Sequence, residues 1–483
     1  MHCTVIGSGA TGLTAALLLA RLGHRVTVVE ALPRPAPLLQ GFVRHGLYFE
    51  TGFHCGGGLH PGGVLRQWLD ALGLFDGANA LSDMCLGNSD RFFFADGSQA
   101  VLPSGIDAVA DGMERQFPGS GSAMRTFMDA TLEVLAHSPY LDAHLAGAPQ
   151  PLVPSGKELT EQLEKSGLPA TVRVMIASRC MLYGVLPEEA SFDGFALVAG
   201  PYFQSSGSWQ GGGRALATAL LARLHNLGVE VLCGQAVTAI EADSGGVRGI
   251  QLGDGRHIAC EHCFFTGHPA QLGELLPQGL LRPAYIHRIE DMPESIYALL
   301  LFAEVREGLQ SGESIYLLPE PDAPELFPTL DADNPAVYIF CDRPQPDGRK
   351  AVMAVAHLAE NALPPEGEDA YAAWKQEQTR RLQHHIEQRL PHLAGNWRVL
   401  DAATPRTMRR YAHGAKGGLY GLRHTANTMP LLPMTRVERL FLTGQHVLLP
   451  GILGAIVSAA LAVGFAFGHD AVLKEFRQCA HNE

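Results

Sequence analysis

The stretch HCTVIGSGATGLTAALLLARLGHRVTVVE, residues 2–30, restricts the fold of this chain more than any other. Residues 4–6 are a β-branched run that stops at a glycine. Gly7, Gly9 and Gly12 follow as GxGxxG, residues 13–22 have the apolar density of a buried helix, and residues 25–29 read as a second strand ending at Glu30. Each glycine has a physical task. Gly7 permits the tight turn, Gly9 lets backbone approach a pyrophosphate, and Gly12 lets helix and strand pack closely. Phosphates would sit on the unpaired N–H groups and positive end of the helix. An isolated GxGxxG is a weak signal, but here both strands, the helix and the terminal acid accompany it. The stretch predicts a dinucleotide cradle in which Glu30 meets a ribose and disfavours a 2′-phosphate by its charge. It does not separate NAD from FAD.

Residues 448–468 carry no charge and are long enough to cross a hydrocarbon core. Gly451, Gly454, Gly464 and Gly468 interrupt them, Pro450 stands where a helix would begin, and the preceding LTGQHV lacks lysine and arginine. Residues 440–444, LFLTG, read as a strand ending in glycine. Strand, glycine, loop and a helix with a glycine-rich first turn make a second place where backbone can approach a cofactor. A helix covered on both faces in an α/β core is apolar all round, so a buried helix is expected rather than a span.

The 483 residues suffice for two domains or one large domain with insertions. With 49 acidic residues against 36 basic ones, the net charge of -13 argues against nucleic acid as a partner. The basic segment around residues 402–411 reads as a solvated rim or an anion-facing surface. Nine scattered cysteines form no disulfide framework, and Cys260 with Cys263 lacks the second ligand pair of a zinc site. The first residues have no signal-peptide pattern, so a cytoplasmic protein without a metal is expected.

Between the two ends, residues 91–103 read as a hairpin with an Asp-Gly turn, followed by a mainly helical region to about residue 200. Phe127, Leu132, Leu135 and Met175 look like core there. Residues 207–267 give a glycine turn, a helix from about 214 to 226, a strand, an antiparallel meander and a strand returning to the main sheet. Residues 372–390 read as an amphipathic helix. No second GxGxxG and no internal repeat is evident.

Three blocks together resemble the flavin-dependent amine oxidase-like superfamily, in particular its branch of phytoene desaturases, carotenoid isomerases and retinol saturases. They are VIGSGATGLTAALLLARLGHRVTVVE with GLYFETGFHCGG, GSWQGGGRALATALLARLHNLGVEVLCGQAVTAI, and TPRTMRRYAHGAKGGLYGL with RLFLTGQHVLLPGILGAIVSAALA. The resemblance implies an α/β fold: a Rossmann-type FAD-binding domain from residues 1–75, 205–270 and 405–483, with a mixed α+β substrate domain inserted as 76–204 and 271–404. It implies FAD as the cofactor. Gly7, Gly9 and Gly12 would hold the pyrophosphate and Glu30 the adenosine ribose. Val237 would meet the adenine by its backbone, Gly444 would lie by the pyrophosphate or ribityl chain, and Gly454 at the flavin edge. The chain also departs from the pattern. ALPRPAPLLQG replaces a Gly-Gly-Arg-like turn after Glu30, leaving Arg34 for an electrostatic role, and Gln445 stands where many relatives have aspartate.

The implied chemistry is redox work on carbon–carbon double bonds of a hydrophobic, conjugated substrate, by saturation, desaturation or isomerisation. Amine oxidation and a non-catalytic, flavin-binding or degenerate partner protein are the alternatives. His54, His446 and Tyr420 are the catalytic candidates, to be weighed against a structural histidine or an aromatic wall. The sequence names no electron donor or acceptor. Peripheral membrane contact through residues 92–94 or 127–135 is set against ordinary core packing of the same residues.

Overall fold

Four well-separated segments supply one parallel sheet. In the computed structural model, which describes residues 1–87, 89–137, 140–142, 156–412, 416–428 and 430–480, its strand order is Glu230–Leu232, Arg25–Val29, His2–Ile6, His262–Phe265 and Leu440–Leu442. The strands are short and nearly all buried, as in a parallel sheet covered on both faces. Alternation assigns the faces. Val26, Val28, Phe264 and Phe441 pack towards helices Ala10–Arg21, Gly212–Asn226 and Ile452–Phe467. Val29, Phe265, Leu440 and Leu442 pack against the antiparallel meander Val237–Asp243, Gly246–Leu252 and His257–Ala259.

The uncharged stretch near the C-terminus forms the helix Ile452–Phe467, packed in the core on Ala10–Arg21. No helix among the described residues is long and apolar enough to cross a membrane. Its one hydroxyl pins it to the sheet. Ser458, fully buried, accepts from Gly444 N–H at 2.7 Å and lies 3.2 Å from Thr443 Oγ1. A second tie joins two distant sequence blocks: Glu50 of GLYFETG accepts the Gly213 N–H at 3.2 Å, at the start of the helix Gly212–Asn226.

A second, seven-stranded sheet has the order Trp397–Ala403, Tyr297–Val305, Lys350–Leu358, Val337–Pro344, Ser314–Leu318, Asp90–Phe94 and Gln99–Leu102. All its pairs are antiparallel except Ser314–Leu318 with Asp90–Phe94. One face, with Leu300, Phe302, Tyr338 and Met353, joins a core shared with helices Gly121–Leu135 and Phe192–Gln204. The other is covered by the long helix Glu368–Arg389 through Leu382 and Ile386. The chain is thus an α/β nucleotide-binding unit with a separate mixed α+β unit.

Phe92 and Phe94 are 0% and 2% exposed, and Phe127 and Leu135 are buried as well. Core packing therefore accounts for both apolar stretches considered for membrane contact. The expected helical region falls partly at residues 143–155, outside the described residues; its described part holds helices such as Ile106–Gln116, Gly121–Leu135 and Phe192–Gln204.

Candidate functional site

A cavity of about 1090 Å³ runs from the GxGxxG turn to the face of the seven-stranded sheet. Gly7, Gly9, Glu30, Arg34, His54, Val237, Tyr420, Gly444, Gln445, His446 and Gly454 all line it. Of the residues expected from sequence to hold the cofactor or to act in catalysis, Gly12 alone stands behind the wall. A Cβ there would overlap the Gly7 carbonyl oxygen, so its task is helix–strand packing.

At the nucleotide end the backbone leaves room for a ligand. Gly7 has φ 102°, and a Cβ on it would overlap Thr266 Oγ1. Gly9 differs: a Cβ there would meet no protein atom within 4 Å, in a residue that lines the cavity. The helix Ala10–Arg21 begins directly after it, with its first amides free of intrahelical partners. Glu30, 6% exposed, accepts from Ser8 N–H at 2.9 Å, Ser8 Oγ–H at 2.7 Å and Leu32 N–H at 2.9 Å. These bonds lock it beside the turn while a carboxylate's further lone pairs remain for a sugar hydroxyl. The proline-rich loop folds back on the same turn, because Ala36 N–H donates to Ser8 Oγ at 3.0 Å and Ser8 O at 3.1 Å. Ala36 has φ 51°, the strained feature of that path. Arg34 lies on the exposed side of the loop.

The second backbone approach is at residues 444–454. Gly444 has φ 113° and Gly451 φ 93°, and a Cβ on Gly454 would overlap the Leu449 carbonyl oxygen. The N-terminus of the helix Ile452–Phe467 thus opens on the cavity beside Gly444 and Gln445. Two helix N-termini, an acid held at the end of the second strand and bare glycine backbone form a donor set that fits a flavin dinucleotide.

The three candidate side chains have different surroundings. His54 lines the cavity, its Nδ1 is buried without a partner, and burial pushes its pKa down to about 4. His446 is fixed: its Nδ1 accepts the Leu422 N–H at 3.3 Å, which assigns the proton to Nε2, and its ring lies 4.7 Å from that of His268. Burial, helped by His268 and His424, holds His446 well below the usual imidazole range. Burial also lifts Tyr420 to about 12, so its phenol keeps its proton at neutral pH.

His268 and His424 are lowered by burial too. His268 Nε2 stands 3.7 Å from the buried Glu294 carboxylate, which accepts from Lys416 N–H at 2.6 Å and Gly418 N–H at 2.5 Å. Sequence reading missed Glu294, since the amides it holds lie more than a hundred residues away. The depressed histidines give a pH prediction. As pH falls below about 6.5, the unfolded chain takes up protons that these folded-state rings refuse, so their share of the stability is lost towards about pH 4. The buried carboxyls of Glu50 and Asp342, pushed up to about 8 and about 7, act in the opposite direction. His54→Gln, which removes one depressed imidazole, should therefore lose less of its thermal midpoint than the wild type between about pH 6.5 and pH 4.5; parallel profiles would contradict the assigned burial.

The chain is similar to known proteins as follows. The profile of the family described as flavin containing amine oxidoreductase matches residues 10–463. All-trans-retinol 13,14-reductase of Homo sapiens is 23% identical, over 95% of this chain and 84% of that protein. Hydroxyneurosporene desaturase of Cereibacter sphaeroides is 27% identical over 56% of each. Among solved structures, an oxidoreductase from Methanosarcina mazei aligns with a TM-score of 0.66 at 14% identity, covering 95% of this chain and 99% of that one.

Proposed function

Since the chain belongs to the flavin containing amine oxidoreductase family, we propose that it uses FAD to saturate, desaturate or isomerise carbon–carbon double bonds of a hydrophobic polyene or isoprenoid-like substrate. The observation carrying this reading is the composition of one cavity. One end is bare glycine backbone and helix N-termini, and the other is apolar sheet surface from Leu300, Phe302, Met353 and Val355. Relatives that act on a retinol and on a hydroxyneurosporene favour double bonds over amines.

In this reading Gly7, Gly9 and the start of Ala10–Arg21 bind the pyrophosphate, with Gly12 supporting the turn. Glu30 holds the ribose, the Val237 backbone faces the adenine, and Arg34 adds positive charge. Gly444, Gln445 and Gly454 hold the ribityl and ring end. When bound, FAD supplies the hydride or electron acceptor. The protein's own part is to orient the chain of double bonds, exclude water and control protons. Tyr420, with its proton retained, is the donor to a developing carbanion. His54, neutral above about pH 5, orients the substrate rather than carrying charge. His446, with one nitrogen on the backbone, positions the 420–422 segment.

Leu38, Val43 and Tyr411 line the cavity and are themselves 40%, 58% and 50% exposed. They give the cavity an apolar mouth, with Arg409 and Arg410 exposed beside Tyr411. That mouth, rather than residues 92–94, is where a lipophilic substrate enters and where transient membrane contact occurs.

The deciding experiment is anaerobic: dithionite-reduced, FAD-loaded protein is mixed with a polyene, and oxidised protein with its saturated counterpart. A changed polyene absorbance in either direction supports the reading. Peroxide released from primary amines, with polyenes untouched, would replace it with amine oxidation.

A further inference from the structure

Two histidines clasp the turn that follows the strand Leu440–Leu442 to residues 418–426. Leu422 N–H donates to His446 Nδ1 at 3.3 Å, and His424 Nε2 lies 2.6 Å from the Gln445 carbonyl oxygen. A carbonyl oxygen only accepts, so the His424 proton is on Nε2 and is donated there. The two bonds cross, each segment lending one ring to the other's backbone. Residues 418–426 are themselves anchored beside the seven-stranded sheet. Ser295 N–H donates to the Gly421 carbonyl at 2.7 Å, and Ser295 Oγ accepts the Tyr420 N–H at 2.8 Å. Arg423 Nη1 reaches both Glu189 oxygens, at 3.1 and 3.2 Å, and Arg423 Nε donates to the Glu294 carbonyl at 2.8 Å. His424 therefore acts from a fixed base.

Its bond decides the direction of a peptide group. The peptide between Gln445 and His446 is trans, so its N–H points opposite to its C=O. With the carbonyl turned towards His424, the His446 N–H faces away from that ring. Gln445 and His446 line the cavity, and among the described residues neither backbone N–H has a protein acceptor. Donors left over in a folded turn are rare. Gly444 is committed by contrast, its N–H to Ser458 Oγ and its carbonyl to Val447 and Leu448 N–H.

We propose that His424 is a positioning residue for the flavin. Its bond to the Gln445 carbonyl aims the adjoining N–H at the flavin half of the cofactor and ties that turn to the wall carrying Tyr420. His424 itself touches neither cofactor nor substrate. The inference rests on the reading that Gly444 and Gln445 hold the ribityl and ring end.

The test titrates the full chain, stripped of flavin, with FAD and separately with AMP, which has the adenine, ribose and one phosphate but no flavin half. His424→Leu removes the donor and should raise the Kd for FAD about tenfold, the worth of one hydrogen bond, with AMP binding unchanged. His424→Gln carries an amide N–H on a side chain of similar reach and should keep FAD within about threefold of the wild type. Unchanged AMP binding also reports that each variant is folded. FAD held by His424→Leu as tightly as by the wild type overturns the proposal. So does equal weakening of FAD and AMP, which a purely structural role would give. If His424→Leu does not fold, His424→Gln decides alone, and a larger loss of FAD with AMP retained overturns the proposal. A wild type that binds AMP and FAD equally well would remove the flavin contacts of Gly444 and Gln445, and this inference with them.

Discussion

Gly9→Val will yield a folded protein that purifies without flavin. Gly9 has φ -63° and ψ 178°, a conformation any residue adopts, and a Cβ there meets no protein atom within 4 Å. The added methyl groups stand only where the pyrophosphate is proposed to lie. They should weaken FAD by a hundredfold or more, about 3 kcal/mol, with the thermal midpoint of the apo form unchanged. Gly12→Val supplies the contrast. Its Cβ overlaps the Gly7 backbone and approaches Val5, so both flavin content and apo stability should fall, the latter by about 1–3 kcal/mol. The measurements are the flavin-to-protein absorbance ratio and apo unfolding of each variant. A yellow Gly9→Val protein with a normal ratio would move the pyrophosphate away from this turn.

The second large effect is expected at Glu294. Its carboxylate, on a residue 4% exposed, holds the amides of Lys416 and Gly418 and lies by His268. Next in the chain, Ser295 Oγ accepts the Tyr420 N–H at 2.8 Å, and Glu294 bridges to Leu422. The pair therefore fixes the segment that places Tyr420 in the cavity wall. Glu294→Ala leaves two amides without an acceptor and should cost about 3–5 kcal/mol in denaturant unfolding. Turnover should fall further than stability alone explains, because the wall shifts even in folded molecules. Glu294→Gln retains one acceptor oxygen and should lose about half as much stability. Wild-type turnover in a folded Glu294→Ala protein would show that residues 416–422 do not shape the reacting end.

How much of this could be read from the sequence depended on the range of the interaction. GxGxxG between two strands is local, and the turn, helix and Glu30 stand where its spacing implies. The apolar run at the C-terminus was legible as a buried helix because its glycines match close backbone approach. Glu30 was legible as an acid at a strand end, but its three donors were not: two come from Ser8, and the third depends on the path of residues 31–36. That path could not be inferred, because nothing in ALPRPAPLLQG announces that Ala36 would take a positive φ and bond to Ser8. Ser458 looked like a lone polar interruption until the strand Leu440–Leu442 brought Gly444 beside it. Tyr338, Ser314 and Asp90 gave no signal at all. Asp90 and Ser314 face each other only through strand register across segments separated by more than two hundred residues, and Ser314 reaches Tyr338 across the next pair of strands. Residues 92–94 stayed open for the same reason: an aromatic triplet reads identically whether it faces lipid or a neighbouring strand.

The order of the parallel sheet has a consequence for synthesis. Its central strand, His2–Ile6, leaves the ribosome first, yet one neighbour is His262–Phe265 and the edge beyond that is Leu440–Leu442. The glycine turn therefore exists as nascent chain long before the segments that close around it. Contacts so distant in sequence form slowly, and the uncharged helix Ile452–Phe467 is made more than four hundred residues after the helix Ala10–Arg21 on which it packs. A complete cradle for the cofactor therefore exists only once residues 440–467 have been made, and the yield of active protein is set by how well the incomplete sheet is shielded from aggregation during that wait.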